Sequence, residues 1–288
     1  IFTDINVSEY IKNEEALYLY QNESEFLKAK ITNDLRQKNG VKIKTLSKTE
    51  ILELEPSLAP IFYNGQIFIG SRHTTNPSII SKKIFENFIN NGGNFIQCEV
   101  NDIISENNLI TLKYNNNKHN YEKVIICAGA WSNNLSKKFG DNFPLDTERG
   151  YHVMFDNHGL INRPIGWSQS GFYLVQLEEG VRAAGTVEIA GLSKPKNKKR
   201  TKMIENQARK LLPKLNNVKS TWLGFRPTLP DSLPVIGPSK KNKNIIYAFG
   251  HQHIGWTLGA VTGKIINSIC NERVPNIDIE PFNPSRFN

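Results

Sequence analysis

Arg226 stands inside the stretch Gly224-Phe225-Arg226-Pro227-Thr228-Leu229-Pro230-Asp231. Pro227 biases the residue before it towards an extended backbone. Together with Pro230 and Pro234 it stiffens the segment. A guanidinium held on a rigid extended strand can grip a carboxylate through two parallel hydrogen bonds, which a lysine cannot copy. The same spacing also suits a structural arginine paired with Asp231 or with a backbone carbonyl. Further along, Gly250-His251-Gln252-His253-Ile254-Gly255 forms a glycine-bounded loop ahead of a helix predicted from about Trp256 to Asn271. The start of such a helix carries free N–H groups and a partial positive charge, so it suits an acceptor. His251 and His253 could act as bases, though packing or hydrogen bonding beside a bound group is the plainer role. Gly255, Gly259 and Gly263 recur every four residues. In a membrane this would suggest helix pairing. Lys264 and the modest length argue instead for a soluble helix packed tightly on a sheet or a bound group.

A second stretch that could meet a ligand runs from Tyr121 to Ser132, YEKVIICAGAWS. Val124–Cys127 is continuously apolar and reads as a strand covered on both faces. It ends in Ala128-Gly129-Ala130, where small residues let a ligand approach the backbone, and Ser132 is placed to cap a following helix. Ligands of open α/β sheets lie at such carboxyl ends. A tight strand-to-helix turn with no ligand explains the same residues equally well.

Several elements must position these groups. Residues 1–40 read as mostly helical after a short strand, with Ala16–Gln21 β-like. A helix with apolar Phe26, Leu27, Ile31 and Leu35 stops at Gly40. Val41–Leu46 alternates as a strand, and Ser47-Lys-Thr-Glu50 is a capping box. A helix over Ser78–Asn91 has Pro77 at its start and Gly92-Gly93 at its end. Strands are predicted at Gln66–Gly70, Asn94–Val100, Leu109–Tyr114 and Tyr121–Ala128, a βαβ-type rhythm. From 144 to 190 the pattern changes to alternating runs at Tyr151–Phe155, Phe172–Leu177 and Val181–Val187, which predicts a separate antiparallel layer. A helix from about Arg200 to Leu212 and a strand into Trp222 complete the set.

The 288 residues, 39% hydrophobic with 15 Phe, 9 Tyr and 4 Trp, are enough for a sizeable core. No apolar run approaches the ~20 residues of a membrane span. Cys98, Cys127 and Cys270 form no CxxC pair, so Cys98 and Cys127 read as reduced, buried thiols and no metal site is expected. Net charge is +9, and six basic residues fall between Lys194 and Lys202. Solvated loops explain them, as would contact with RNA or an anionic membrane. No aromatic residues interleave with them, which weakens the nucleic-acid reading. The chain opens on Ile1, in what reads as mid-domain sequence.

Taken together, GFRPTLPDSLPVIG followed by GHQHIGWTLGAVTG resembles the C-terminal signature of the FAD-dependent D-amino acid oxidase superfamily. The branch most alike contains the D-amino acid dehydrogenase small subunit and glycine oxidase. KVIICAGAWS resembles that family's mid-chain strand returning to FAD, and PLDTERGYHVMF and GFYLVQLEEGVRAAGTVEIAG resemble its substrate-domain strands. The resemblance covers about residues 16–287, and its combined order is more specific than any one motif.

The resemblance implies an α/β fold of mixed α+β character, with a Rossmann-like FAD-binding domain interleaved with an antiparallel-sheet substrate domain. Residues 1–70 and 136–225 would form the substrate domain, and 71–135 and 226–288 the FAD-binding domain. Arg226 would bind the substrate carboxylate, and Tyr173 matches a tyrosine aimed at that carboxylate. Val100 would meet the adenine end of FAD through its backbone. Ala128, Gly129 and Trp131 would line the cofactor. Gly250, His251, Ile254, Gly255, Trp256 and Thr257 would wrap the isoalloxazine, with the helix start stabilising charge on the reduced ring. Hydride would pass from the α-carbon of a D-amino acid, glycine or cyclic imino acid to flavin N5. The imino acid would hydrolyse to a keto acid. The implied partners are an amino-acid substrate in catabolism, an electron acceptor (oxygen, a quinone or a carrier protein) and homo- or hetero-oligomeric subunits. The implied location is cytoplasmic, or peripheral on the inner face of the membrane.

One departure is large: nothing here matches the family's GxGxxG phosphate loop. The expectation is therefore a chain lacking its N-terminal portion, inactive as given and a poor holder of FAD. Two other functions stay open, the flavin module of a tRNA wobble-uridine modifying enzyme and a non-catalytic scaffold subunit.

Overall fold

The computed structural model describes residues 5–106 and 109–287. The chain forms two compact units. Unit 1 takes the residues up to Asn94, Gly150–Val187 and Pro195–Leu223. Unit 2 takes Phe95–Arg149, Glu188–Lys194 and the residues from Gly224 onward.

Unit 1 is built on an eight-stranded sheet. Its order is Val218–Thr228, Asp146–Phe155, Gly180–Ile189, Phe172–Leu177, Ile165–Trp167, Leu17–Tyr20, Asn64–Phe68, Ile43–Leu46. The first three strands also carry the chain, in sequence, across the division between units. From Gly180–Ile189 across to Ile43–Leu46 the pairings are antiparallel, except that Ile165–Trp167 runs parallel to Leu17–Tyr20. Strand alternation sorts the two faces. Leu17, Leu19, Tyr151, Val153, Phe155, Phe172, Leu174, Val181 and Ala183 enter the core. There they meet Ile51 of the helix Lys48–Leu54 and Ile204, Ala208 and Leu211 of the helix Lys198–Leu211. Tyr18, Tyr173, Arg182 and His152 stand on the other face.

Local chemistry sets the helix starts. Both bonds of the Ser47–Glu50 capping box are present, and Asn76 caps a helix Pro77–Asn90 with proline in its first turn. The helix Glu23–Lys38 departs from the expected packing: Leu27, Ile31 and Leu35 are 56%, 80% and 61% exposed. Asn33 is the buried residue instead. Its Nδ2 donates to Gln66 Oε1 at 2.6 Å and to Tyr20 Oη at 3.2 Å, so a polar triad orients the helix. The basic run is partly engaged on its own unit. Lys196 Nζ donates to Thr221 Oγ1 at 2.6 Å, and Lys202 pairs with Glu205 at 3.0 Å.

Unit 2 contains a sheet in the order Val235–Pro238, Ile245–Phe249, Val124–Ile126, antiparallel then parallel. It also contains a meander of Asp102–Glu106, Leu109–Tyr114 and Asn117–Tyr121. Asn115 and Asn116 turn the last hairpin with φ of 50° and 61°, the left-handed pair that asparagine tolerates best after glycine. Residues 94–100 form no strand, because no neighbour pairs with them among the described residues. The strand predicted over Tyr121–Ala128 is only Val124–Ile126, and Ile125 is 42% exposed, so it is covered on one face. Alternation then turns Cys127 outward, and Cys98 is half-buried rather than buried. The helix Gly255–Cys270 rests on the sheet through Ile265 and Ile266, which cluster with Ile236 and Ile246. A Cβ placed on Gly259 or Gly263 would meet nothing within 4 Å, so these two glycines do not face the sheet.

Candidate functional site

In unit 2, Arg226 lies near the end of the strand Val218–Thr228. Burial pushes its guanidinium pKa down, and the charge of Glu148 opposes that shift. Asp231, one partner the spacing offered, is held by Arg286 instead, with Nε 2.6 Å from Oδ2 and Nη2 3.5 Å from Oδ1. The Gly–His loop is tied to the residue after Arg226, since Gln252 N–H donates to Pro227 O at 3.0 Å. Gly250 makes that approach possible. Its φ is 90°, and a Cβ there would sit 2.6 Å from Leu229 Cδ1. His251 Nε2 lies 2.9 Å from Thr262 Oγ1, joining the loop to the following helix, and burial lowers its pKa. No side chain caps the helix at Ile254, so its first N–H groups are available to an acceptor.

The strand Val124–Ile126 delivers Ala128 into a 3-10 turn, Gly129–Trp131. Gly129 has φ of 54°, with open space where a Cβ would stand. Trp131 is exposed and meets Phe225 edge-on at 5.5 Å, which brings this turn beside the residue preceding Arg226. Ser132 does not cap the helix Ser132–Ser136. Its Oγ is buried without a hydrogen-bond partner. Val100 packs partly buried against the cluster of Ile103, Phe143 and Tyr247. Sequence reasoning missed Arg149, which is fully buried with Nε 3.5 Å from Glu188 Oε2 and its guanidinium 5.8 Å over the Phe225 ring. The only available signal was a charge amid the alternating residues of Asp146–Phe155.

In unit 1, Tyr173 is exposed on the open face of the sheet. Gly166 sits opposite it on the neighbouring strand, and a Cβ there would come within 2.9 Å of the Tyr173 ring. Tyr18 O–H donates to Tyr173 Oη at 3.3 Å, with the rings edge-on at 5.7 Å. Burial and the Tyr173 hydroxyl push the Tyr18 pKa up, which keeps it a donor. A cleft of about 280 Å³ beside this pair is bordered by Arg36 and Trp167.

A family model described as "DAO: FAD dependent oxidoreductase" matches residues 8–269. The chain belongs to this family. It is 33% identical over 261 residues to a D-amino-acid oxidase of Bradyrhizobium diazoefficiens, covering 88% of this chain and 62% of that protein. It is 30% identical over 171 residues to a D-amino acid dehydrogenase of Paramagnetospirillum magneticum, covering 58% of this chain and 40% of that protein. The chain thus spans less than two thirds of the length of each of these two relatives. In fold it resembles glycine oxidase from Geobacillus kaustophilus, with a TM-score of 0.89 at 21% identity over 99% of this chain and 80% of that one. L-proline dehydrogenase from P. horikoshii gives 0.86 at 21% identity, over 99% of this chain and 80% of that one. The mixed α/β fold is therefore that of the family over nearly the whole chain. Among the described residues there is no cluster able to hold a metal ion, and no helix long and apolar enough to cross a membrane.

Proposed function

We propose that this protein oxidises the C–N bond of an amino acid (a D-amino acid, glycine or a cyclic imino acid) with FAD as its cofactor. The observation that carries the reading is the family match over residues 8–269. The residues of unit 2 fit such a group. Open N–H groups at Gly255–Thr257, an unpartnered buried Ser132 hydroxyl and free space over Gly129 all suit a large ligand rich in acceptors. Ala128, Gly129 and Trp131 would line it, Gly250, His251, Ile254, Gly255, Trp256 and Thr257 would wrap its ring, and Val100 would meet its adenine end. Residues 71–135 and 226–288 would form the FAD-binding part, and 1–70 and 136–225 the substrate part. That division and the two units differ at residues 71–94, compact with unit 1, and at 136–149, 188–194 and 224–225, compact with unit 2.

Bound FAD supplies the acceptor for the hydride that leaves the substrate α-carbon. The protein's own residues bind and orient. Arg226, stiffened by Pro227, takes the substrate carboxylate through its two-pronged guanidinium. Tyr173 donates to the same kind of group: Tyr18 already donates to its oxygen, which leaves the Tyr173 proton for a ligand. The helix start at Gly255 stabilises negative charge developing on the acceptor. Loss of the α-hydrogen as hydride and of a nitrogen proton leaves an imino acid, which water converts to a keto acid and ammonia or an amine. No residue need act as a strong base, because orientation supplies most of the advantage.

Steady-state dye reduction by protein expressed from its complete gene tests the reading. Arg226→Ala is expected to raise the amino-acid KM steeply, with Arg226→Lys in between. Unchanged kinetics in both variants would remove Arg226 from this role.

A further inference from the structure

The open face of the unit 1 sheet borders a second cleft, of about 230 Å³, that shares no lining residue with the one beside Tyr173. Arg182 faces it. The strand register sets Arg182 opposite Val175 and Ala184 opposite Tyr173, while Val181 and Ala183 enter the core. Arg182 therefore projects from the same face as Tyr173. Its Nε is buried and has no hydrogen-bond partner. Burial alone pushes the guanidinium pKa down, and no acidic neighbour offsets the shift. Two other arginines of unit 1 are matched, Arg163 by Glu55 at 3.2 Å and Arg209 by Glu205 at 3.0 Å. Arg182 is half-buried, and its inner nitrogen, shut off from water without an acceptor, is short of a partner. A guanidinium fork pairs with a carboxylate or a phosphate, and an apolar wall beside it favours a carboxylate carrying a hydrocarbon tail.

The rest of the lining agrees with that chemistry. His152 borders the cleft with its ring stacked on Trp222 at 5.2 Å. Burial, Arg182 and Lys196 push its pKa down to about 4, so near pH 7 it is a neutral hydrogen-bonding group that adds no competing charge. Met154 and Leu177, both buried, supply an apolar wall. The first turn of the helix Pro77–Asn90 borders the cleft through Ser78, and a helix start favours negative charge. Glu179 is the one acid among the lining residues, and it is exposed.

We infer that the Arg182–His152 cleft is a binding site for a small carboxylate carrying a short aliphatic tail. Arg182 takes the carboxylate, His152 adds a hydrogen bond, and Met154 and Leu177 cover the tail. The site does not depend on the oxidase reading.

The experiment is a propionate titration at pH 7, with chloride holding ionic strength constant, read on the His152 ring resonances by NMR. These resonances are assigned by their loss in His152→Phe. The expected result is a saturable shift in the wild type. Arg182→Lys keeps the charge but loses the fork, and should bind about tenfold more weakly. Arg182→Gln should show no saturation. A linear response identical to that of chloride overturns the inference, as does a saturable response unchanged in Arg182→Gln. Should Arg182→Gln fail to fold, the wild-type curve and Arg182→Lys decide.

Discussion

Single side chains carry most of the chemistry, and each makes its own prediction. Tyr173 donates to the substrate only if its proton is left over from the contact with Tyr18. A hydrogen bond to a charged group contributes about 1.5–3 kcal/mol, so Tyr173→Phe should raise KM by roughly tenfold or more with little change in kcat. Tyr18→Phe should have a smaller effect, because it removes only the group that orients Tyr173. His152 yields a pH prediction. Its folded-state pKa is depressed to about 4 by burial, Arg182 and Lys196. The unfolded chain takes up a proton near pH 6.5, before the folded chain does. Stability should therefore fall as pH drops from about 6.5 to about 4, and level off below that. In His152→Phe, which keeps a ring on Trp222, that component of the slope should vanish from chemical denaturation curves measured across the interval.

Elements set where these side chains can stand, and two glycines separate positions under constraint from positions that are not. Gly250→Ala puts a Cβ into a positive-φ backbone and against Leu229. It should cost about 1–3 kcal/mol in urea unfolding and loosen the tie between Gln252 and Pro227. Gly259→Ala, in an open helical position, should instead stabilise by up to about 1 kcal/mol. The same contrast explains what the sequence made legible. The Ser47–Glu50 box and the helix beginning at Pro77 are read correctly because their causes are local. The packing of Leu27, Ile31 and Leu35 is not, because period tells which residues share a face and not what covers it. Gly259 and Gly263 do not pack on the sheet, for the same reason. Arg149 and Arg182 were invisible: each sits amid alternating strand residues, and burial of its charge depends on groups distant in sequence. Arg226 stood out because its neighbouring prolines announce a rigid backbone.

At the scale of the whole molecule, the chain forms two compact units, and the family match spans both. In unit 2 the buried pair Tyr247–Asp141, with Oη donating to Oδ2 at 2.8 Å, braces the sheet beneath the Gly–His loop. Tyr247→Phe leaves that buried carboxylate short of a donor and should destabilise the protein by about 1–3 kcal/mol in thermal or urea unfolding. The central claim concerns amino-acid oxidation, and anaerobic reductive titration reaches it most directly. Protein expressed from its complete gene and purified with flavin is mixed, without oxygen, with D-amino acids, glycine and cyclic imino acids in turn. Saturable bleaching of the oxidised-flavin absorbance by at least one of them is expected, at a much higher substrate concentration in Arg226→Ala. Stoichiometric flavin that none of these compounds bleaches, or a chain that binds no flavin at all, would contradict it.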